Sequence, residues 1–146
     1  MVEVHAQDVI PSGRYYVFHQ ILKCCWSSET SADPEKYVGS PSSYGQCAVS
    51  ALLFQEIFGG ELMRSVVNGV SHYWNRDENG DEVDFTRSQF QVPVMFEEEV
   101  VVRDREYVLS NLSTMSRYNL LKSRYLDIIR GNELSRGTGV EASNDR

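Results

Sequence analysis

The stretch that decides the fold runs from Gln46 to Thr86: QCAVSALLFQEIFGGELMRSVVNGVSHYWNRDENGDEVDFT. Ala48, Ala51, Leu52, Leu53 and Phe54 suit a helix, and Gly59-Gly60 supplies a stop, so a helix is predicted over Gln46 to Phe58. Leu62 to Val67 then alternates and ends β-branched. Asn68-Gly69 is the favoured two-residue type I′ hairpin turn, and Val70 to Arg76 is the return strand. Asp77 to Asp81, containing Asn79-Gly80, forms a second turn before a third strand at Glu82 to Thr86. The pattern is a helix followed by an antiparallel meander.

Working outward, Tyr15, Phe18, Ile21, Leu22 and Cys25 recur at helical spacing and predict a helix over Arg14 to Trp26. Ser27 to Ser43 is rich in Ser, Pro and Gly and reads as a long irregular loop, a feature that is usually functional. Val92 to Val94 and Val100 to Val102 read as short strands, with the acidic run Glu97 to Glu99 as a solvated turn or edge. Met115, Tyr118, Leu121, Tyr125 and Ile128 predict a closing amphipathic helix over Thr114 to Arg130. The expected organisation is an N-terminal segment over 1–12, one α+β domain over 13–134 and a disordered tail over 135–146, where no apolar period survives.

The 146 residues carry a net charge of −7, which disfavours the phosphate neutralisation on which non-specific nucleic-acid binding depends. No apolar run approaches the ~20 residues that cross a bilayer, so no membrane partner is expected. The cysteines are Cys24, Cys25 and Cys47; an odd count without a secretory leader reads as a reduced, cytoplasmic protein. CxxC-type spacing is missing, so no metal is expected, and no cofactor.

Chemistry concentrates at Gly45-Gln46-Cys47. A helix start carries unpaired N–H groups and about half a positive charge, which favours a thiolate and can hold a developing oxyanion. Gly45 would let a substrate approach closely, and Gln46 is an oxyanion candidate. The plain alternative makes Cys47 a small buried hydrophobe and Gln46 a simple helix-start residue. His72 and Asp84 lie in successive strands. A three- or five-residue loop between those strands puts both on one face, near enough for an imidazole–carboxylate hydrogen bond; a strict two-residue turn separates them. Asp84 would then orient His72, and His72 would take the Cys47 proton. Alternatively His72 reaches solvent and Asp84 is an exposed polar position. Trp74 and Tyr73 read as packing residues, one of which can wall a substrate groove. Asn75 is either a substrate contact or a partner for a backbone group in the sheet.

Several motifs resemble the YunG-like family. They are Trp26-Ser27-Ser28-Glu29-Thr30-Ser31, Asp33-Pro34, Gly45-Gln46-Cys47-Ala48-Val49-Ser50-Ala51-Leu52, Phe58-Gly59-Gly60, Asn68-Gly69-Val70-Ser71-His72-Tyr73-Trp74-Asn75-Arg76, Asp84-Phe85-Thr86 and Gln89-Phe90, with Arg117-Tyr118 and Leu121 in the closing helix. The similarity spans roughly Leu22 to Ile129. More broadly, a cysteine opening a helix, then a histidine strand, then Asp-x-Thr is similar to the transglutaminase-like and papain-like superfamily. That resemblance implies a small papain-like or transglutaminase-like domain, its nucleophile helix packed on an antiparallel meander and closed by a C-terminal helix. It also implies acyl transfer through a thioester, with Cys47, His72 and Asp84 matching the catalytic order. In papain-like proteases the oxyanion glutamine precedes the cysteine by several residues, where this chain has Pro41; Gln46 is adjacent instead.

The leading expectation is a thiol hydrolase or acyltransferase acting on an amide, isopeptide or thioester, with a protein, peptide or small amide as substrate. The alternative is a non-enzymatic binding module using the Trp26-to-Ser43 loop, or an acidic decoy. The enzyme reading expects the Cys47 sulfur to face the His72 ring within about 4 Å or slightly more. It also expects a lowered Cys47 pKa, a buried Trp26 anchoring the loop beside the Cys47 helix, and Glu29 bonded to loop amides.

Overall fold

The computed structural model describes residues 4–137. Its helices are α1 (Tyr16–Cys25), α2 (Cys47–Phe58), α3 (Arg105–Leu109) and α4 (Leu112–Gly137), and its strands β1 (Glu61–Val67), β2 (Val70–Arg76), β3 (Glu82–Val83) and β4 (Val101–Arg103). The strands form one antiparallel sheet in the order β3-β2-β1-β4, so the fold is α+β. The hairpin forms as the sequence predicts, pairing Val67 with Val70 across Asn68 (φ 52) and Gly69 (φ 80), both in the left-handed region a type I′ turn requires.

Helix α2 sits at the centre, packed on β1, β2 and α4. It is apolar nearly all round, and Val49, Leu52, Leu53 and Phe54 are fully buried. Each side chain of that size contributes ~1.5–3 kcal/mol by leaving water. Phe18, Tyr15, Phe54, Phe58 and Phe85 form an aromatic cluster that fixes α1 against the base of α2. On α4, Tyr118 and Leu121 are buried and Tyr125 and Ile128 pack against the same core, whereas Met115 is exposed.

Several expectations need correction. Helix α1 starts at Tyr16, because Tyr15 takes a left-handed conformation (φ 66) that directs its hydroxyl to Asp77. The third strand ends at Val83, since Asp84 leaves β2 and exchanges backbone hydrogen bonds with Val9. Residues 4–12 are therefore stitched to the domain, and Ala6 is buried. No strand forms at Val92 to Val94, where Pro93 has no N–H to give a ladder. The next strand, β4, adds to the free edge of β1 rather than continuing the meander. The acidic run is partly structural: Glu97 accepts the turn N–H groups of Asn68 and Gly69. Helix α4 starts at Leu112 and includes residues 135–137 of the expected tail; residues 138–146 lie outside the described residues.

Candidate active site

The loop before α2 is built by local capping. Ser27 and Thr30 form a capping box around a short 3₁₀ turn, Ser28–Thr30, and Thr30, Ser31 and Ser43 are buried. Trp26 is 8% exposed and donates to Ser50 Oγ at 2.9 Å, one turn into α2, which fixes the loop beside the start of that helix. Arg124 of α4 holds the same corner through the Cys25 carbonyl and Ser27.

Cys47 opens α2 and is half-buried. Strand β3 pairs with β2 only at Asn75 and Arg76, so the edge of β2 away from β1 faces no strand further back toward the hairpin. The thiol occupies that gap. It lies 3.8 Å from the Ser71 carbonyl and accepts the Tyr73 N–H. No side chain caps α2, so the first-turn N–H groups beside Cys47 have no side-chain acceptor.

His72 and Asp84 meet as the five-residue spacing from Asp77 to Asp81 requires. His72 is fully buried, and its Nε2 lies 2.7 Å from Asp84 Oδ2. Trp74 stacks near the ring at 5.6 Å, and Phe90 meets it edge-on at 4.9 Å. Asp84 also accepts from the Thr86 N–H and from Arg87 Nε, both at 3.0 Å. Nδ1 makes no hydrogen bond of good geometry, and the thiol that interacts with this ring is Cys47.

The electrostatics follow from these contacts. Burial pushes the Cys47 thiol up, but the contact with the His72 ring and its charge, with the Tyr73 N–H, outweigh it and leave the pKa lowered. Burial pulls His72 down, yet the Asp84 charge and hydrogen bond, reinforced by Cys47, raise it to about 9. Burial raises Asp84, while His72, Arg87 and the Thr86 N–H bring it below its ordinary value. All three directions favour a thiolate–imidazolium pair backed by a carboxylate.

Other expected site residues have different duties. Gln46 is 0% exposed; its Oε1 accepts from Thr30 and its Nε2 donates to the Ser27 carbonyl, so its amide ties loop to helix and is not free to receive an oxyanion. Asn75, 1% exposed, donates to the Ala51 carbonyl and joins β2 to α2, so it is not a substrate contact. Trp74 is buried, bonds Glu82 through Nε1 and stacks on Phe96 at 5.0 Å; it backs the His72 ring rather than walling an open groove. Glu29 pairs with Arg124 instead of loop amides, because Ser27 and Thr30 already satisfy those. Gly45 (φ 73) faces Ser31 Oγ, which a Cβ would approach to 2.1 Å, so it serves close loop packing rather than substrate approach. Sequence reasoning gave Arg87 no role and placed Phe90 only within the family-like Gln89-Phe90 motif. Arg87 had one signal, its position three residues after Asp84.

A cleft of about 510 Å³ is lined by Ala48, next to Cys47 in α2, and by Tyr73, Tyr107, Val108, Ser110, Asn111 and Thr114; Cys47 itself lines a separate cavity of about 10 Å³ that shares Tyr73 with it. Among the described residues, no group of three or more His, Cys, Asp or Glu side chains is placed to hold a metal, and no helix is long and apolar enough to cross a membrane.

Comparison with known proteins gives two matches. The family profile described as YunG protein matches residues 15–130. The Bacillus subtilis (strain 168) protein named "Uncharacterized protein YunG" is 32% identical over 109 residues, covering 75% of this chain and 91% of its own length. No solved structure matches.

Proposed function

We propose that this chain, which belongs to the YunG family, is a thiol hydrolase or acyltransferase acting on an amide, isopeptide or thioester. The observation that carries the reading is the buried His72 ring, with Nε2 held by Asp84 and the thiol of Cys47 interacting with the same ring. A cysteine that opens a helix, followed along the chain by His and Asp, supports placing the domain with papain-like and transglutaminase-like proteins.

The Cys47 thiolate attacks the acyl carbon, forming a C–S bond while the carbonyl electrons move to oxygen, where the first-turn N–H groups of α2 receive the charge. The C–N bond then breaks, or the C–S bond of a thioester, and the leaving group takes the proton from His72 Nδ1. Water, or an acceptor amine in transfer, returns a proton to Nδ1 as it attacks the thioester. The enzyme's C–S bond breaks and the thiolate–imidazolium pair is restored. Asp84 holds the ring's tautomer and stabilises its cation. The residues need no cofactor for these steps, and a reducing compartment such as the cytoplasm keeps the thiol available.

The test exposes the folded protein to cell lysate and maps hydroxylamine-labile adducts. The reading expects an acyl adduct on Cys47 that His72→Ala abolishes and from which the acyl donor, a protein, peptide or small amide, is identified. A folded wild type whose Cys47 stays unmodified moves the reading to a binding module.

A further inference from the structure

Two cations that touch residues of the cleft have no acidic partner among the described residues. Elsewhere arginines meet carboxylates, as Arg14 meets Asp77 and Arg105 meets Glu56. Arg117, half-buried on α4, is bonded only to neutral oxygens: Ser113 Oγ at 3.2 Å, the Thr30 carbonyl at 3.3 Å and Thr114 Oγ1 at 3.2 Å. A guanidinium has five N–H donors, so two of these remain unused. Thr114 is a cleft residue, and Arg117 feels the charge of Cys47. Arg103 lies 5.1 Å from the ring centroid of Tyr107, another cleft residue, and its buried Nε has no hydrogen-bond partner among the described residues. Asp104 and Glu106, its neighbours in sequence, form no ion pair with it. In a chain of net charge −7, two half-buried arginines left without carboxylates around one cleft mark a place where the missing anion is supplied from outside.

We propose that this cleft selects acyl donors bearing carboxylates, with Arg117 holding the one nearest the scissile carbonyl and Arg103 one farther along. The proposal rests on the thiol acyl-transfer reading and names its substrate class. Tyr73 and Tyr107 supply flat walls for the carbon chain between the two charges.

The test compares alkylation of Cys47 by iodoacetate and iodoacetamide. Both reagents attack the same thiolate, so their rate ratio cancels any change in thiolate population and reports attraction of the carboxylate. Arg117→Gln should lower the iodoacetate-to-iodoacetamide ratio by roughly tenfold, the size of a charge interaction between surface and bulk-water screening. Arg117→Lys, which keeps the charge, should retain most of it. If Cys47 reacts with both reagents and the ratio is the same in all three proteins, the thiol reading stands and the carboxylate proposal falls. If Cys47 reacts with neither reagent, the thiol reading falls, and calorimetry decides the anion site alone. Heat of binding for glutarate or for an acetylated, amidated triglutamate, lost in Arg103→Gln/Arg117→Gln, supports the site; glutarate alone points to a small donor and the peptide alone to a peptide. Binding of neither overturns it.

Discussion

His72→Ala should convert Cys47 from an activated thiol to an ordinary or sluggish one. In the wild type the contact with the ring and its charge overcome the penalty of burial on the thiolate. Because Asp84 holds His72 up at about 9, the imidazolium persists through neutral pH. Removing the ring leaves burial opposed mainly by the Tyr73 N–H. A thiol at the ordinary value of about 8.5 is only ~3% ionised at pH 7, so loss of the ring lowers the thiolate population by at most ~thirtyfold. A more basic thiolate is intrinsically more nucleophilic, which trims the net loss to roughly three- to tenfold. The shape of the profile is therefore the sharper readout. Iodoacetamide labelling of the Cys47 peptide, followed from pH 5 to 10, should stay high through neutral pH in the wild type. In His72→Ala it should climb only toward pH 8.5 and above. Asp84→Asn should give an intermediate curve, because it removes the charge that raises His72 but leaves the ring beside the thiol. Thermal melts establish that each variant is folded. Three superimposable curves centred on the ordinary thiol value would refute the coupling of Cys47 to His72.

Three further outcomes follow from the same contacts. Asp8 is raised from 3.8 to about 6, first by burial, so the folded state holds that proton more tightly and stability falls as pH rises from about 4 to 6; Asp8→Asn, which keeps an acceptor for the Ser88 N–H, should gain about 1–3 kcal/mol at pH 8 and little at pH 3.5, and equal denaturation midpoints at pH 8 would contradict this. Trp26→Ala empties a buried site and strands Ser50, costing about 3–5 kcal/mol in urea unfolding; an unchanged midpoint would show that Trp26 does not anchor the loop. Gly45→Ala forces a side chain into the left-handed region against Ser31, and should cost about 1–3 kcal/mol and slow Cys47 alkylation; a neutral effect on both would show that the loop tolerates the shift.

The elements legible in the sequence are those fixed by local chemistry. Asn68-Gly69 dictates its turn, Gly59 ends α2, and the spacing between β2 and β3 brings Asp84 to the His72 side of the sheet. What escaped the sequence depends on distant partners. Nothing near Val101 says that β4 will pair with β1, and nothing near Asp84 says that Val9 will draw it out of the sheet. Gln46 looked free because Thr30 and Ser27 are remote in sequence, yet they consume its amide. Arg117 figures in the sequence only within a family-like motif and Arg103 carries no signal there; only the fold puts them against the cleft residues Thr114 and Tyr107.

The early departure of β3 means that the Cys47 sulfur is seated on main-chain atoms, the Tyr73 N–H and the Ser71 carbonyl. Side-chain substitution at 71 or 73 does not delete either group. Tyr73 also walls the cleft, so exchanging its ring reshapes the cleft while its amide continues to hold the sulfur. On the acyl-transfer reading proposed above, substrate choice and nucleophile placement are thus written in separate parts of the same residue, and a descendant of this chain is free to change its diet without rebuilding its chemistry.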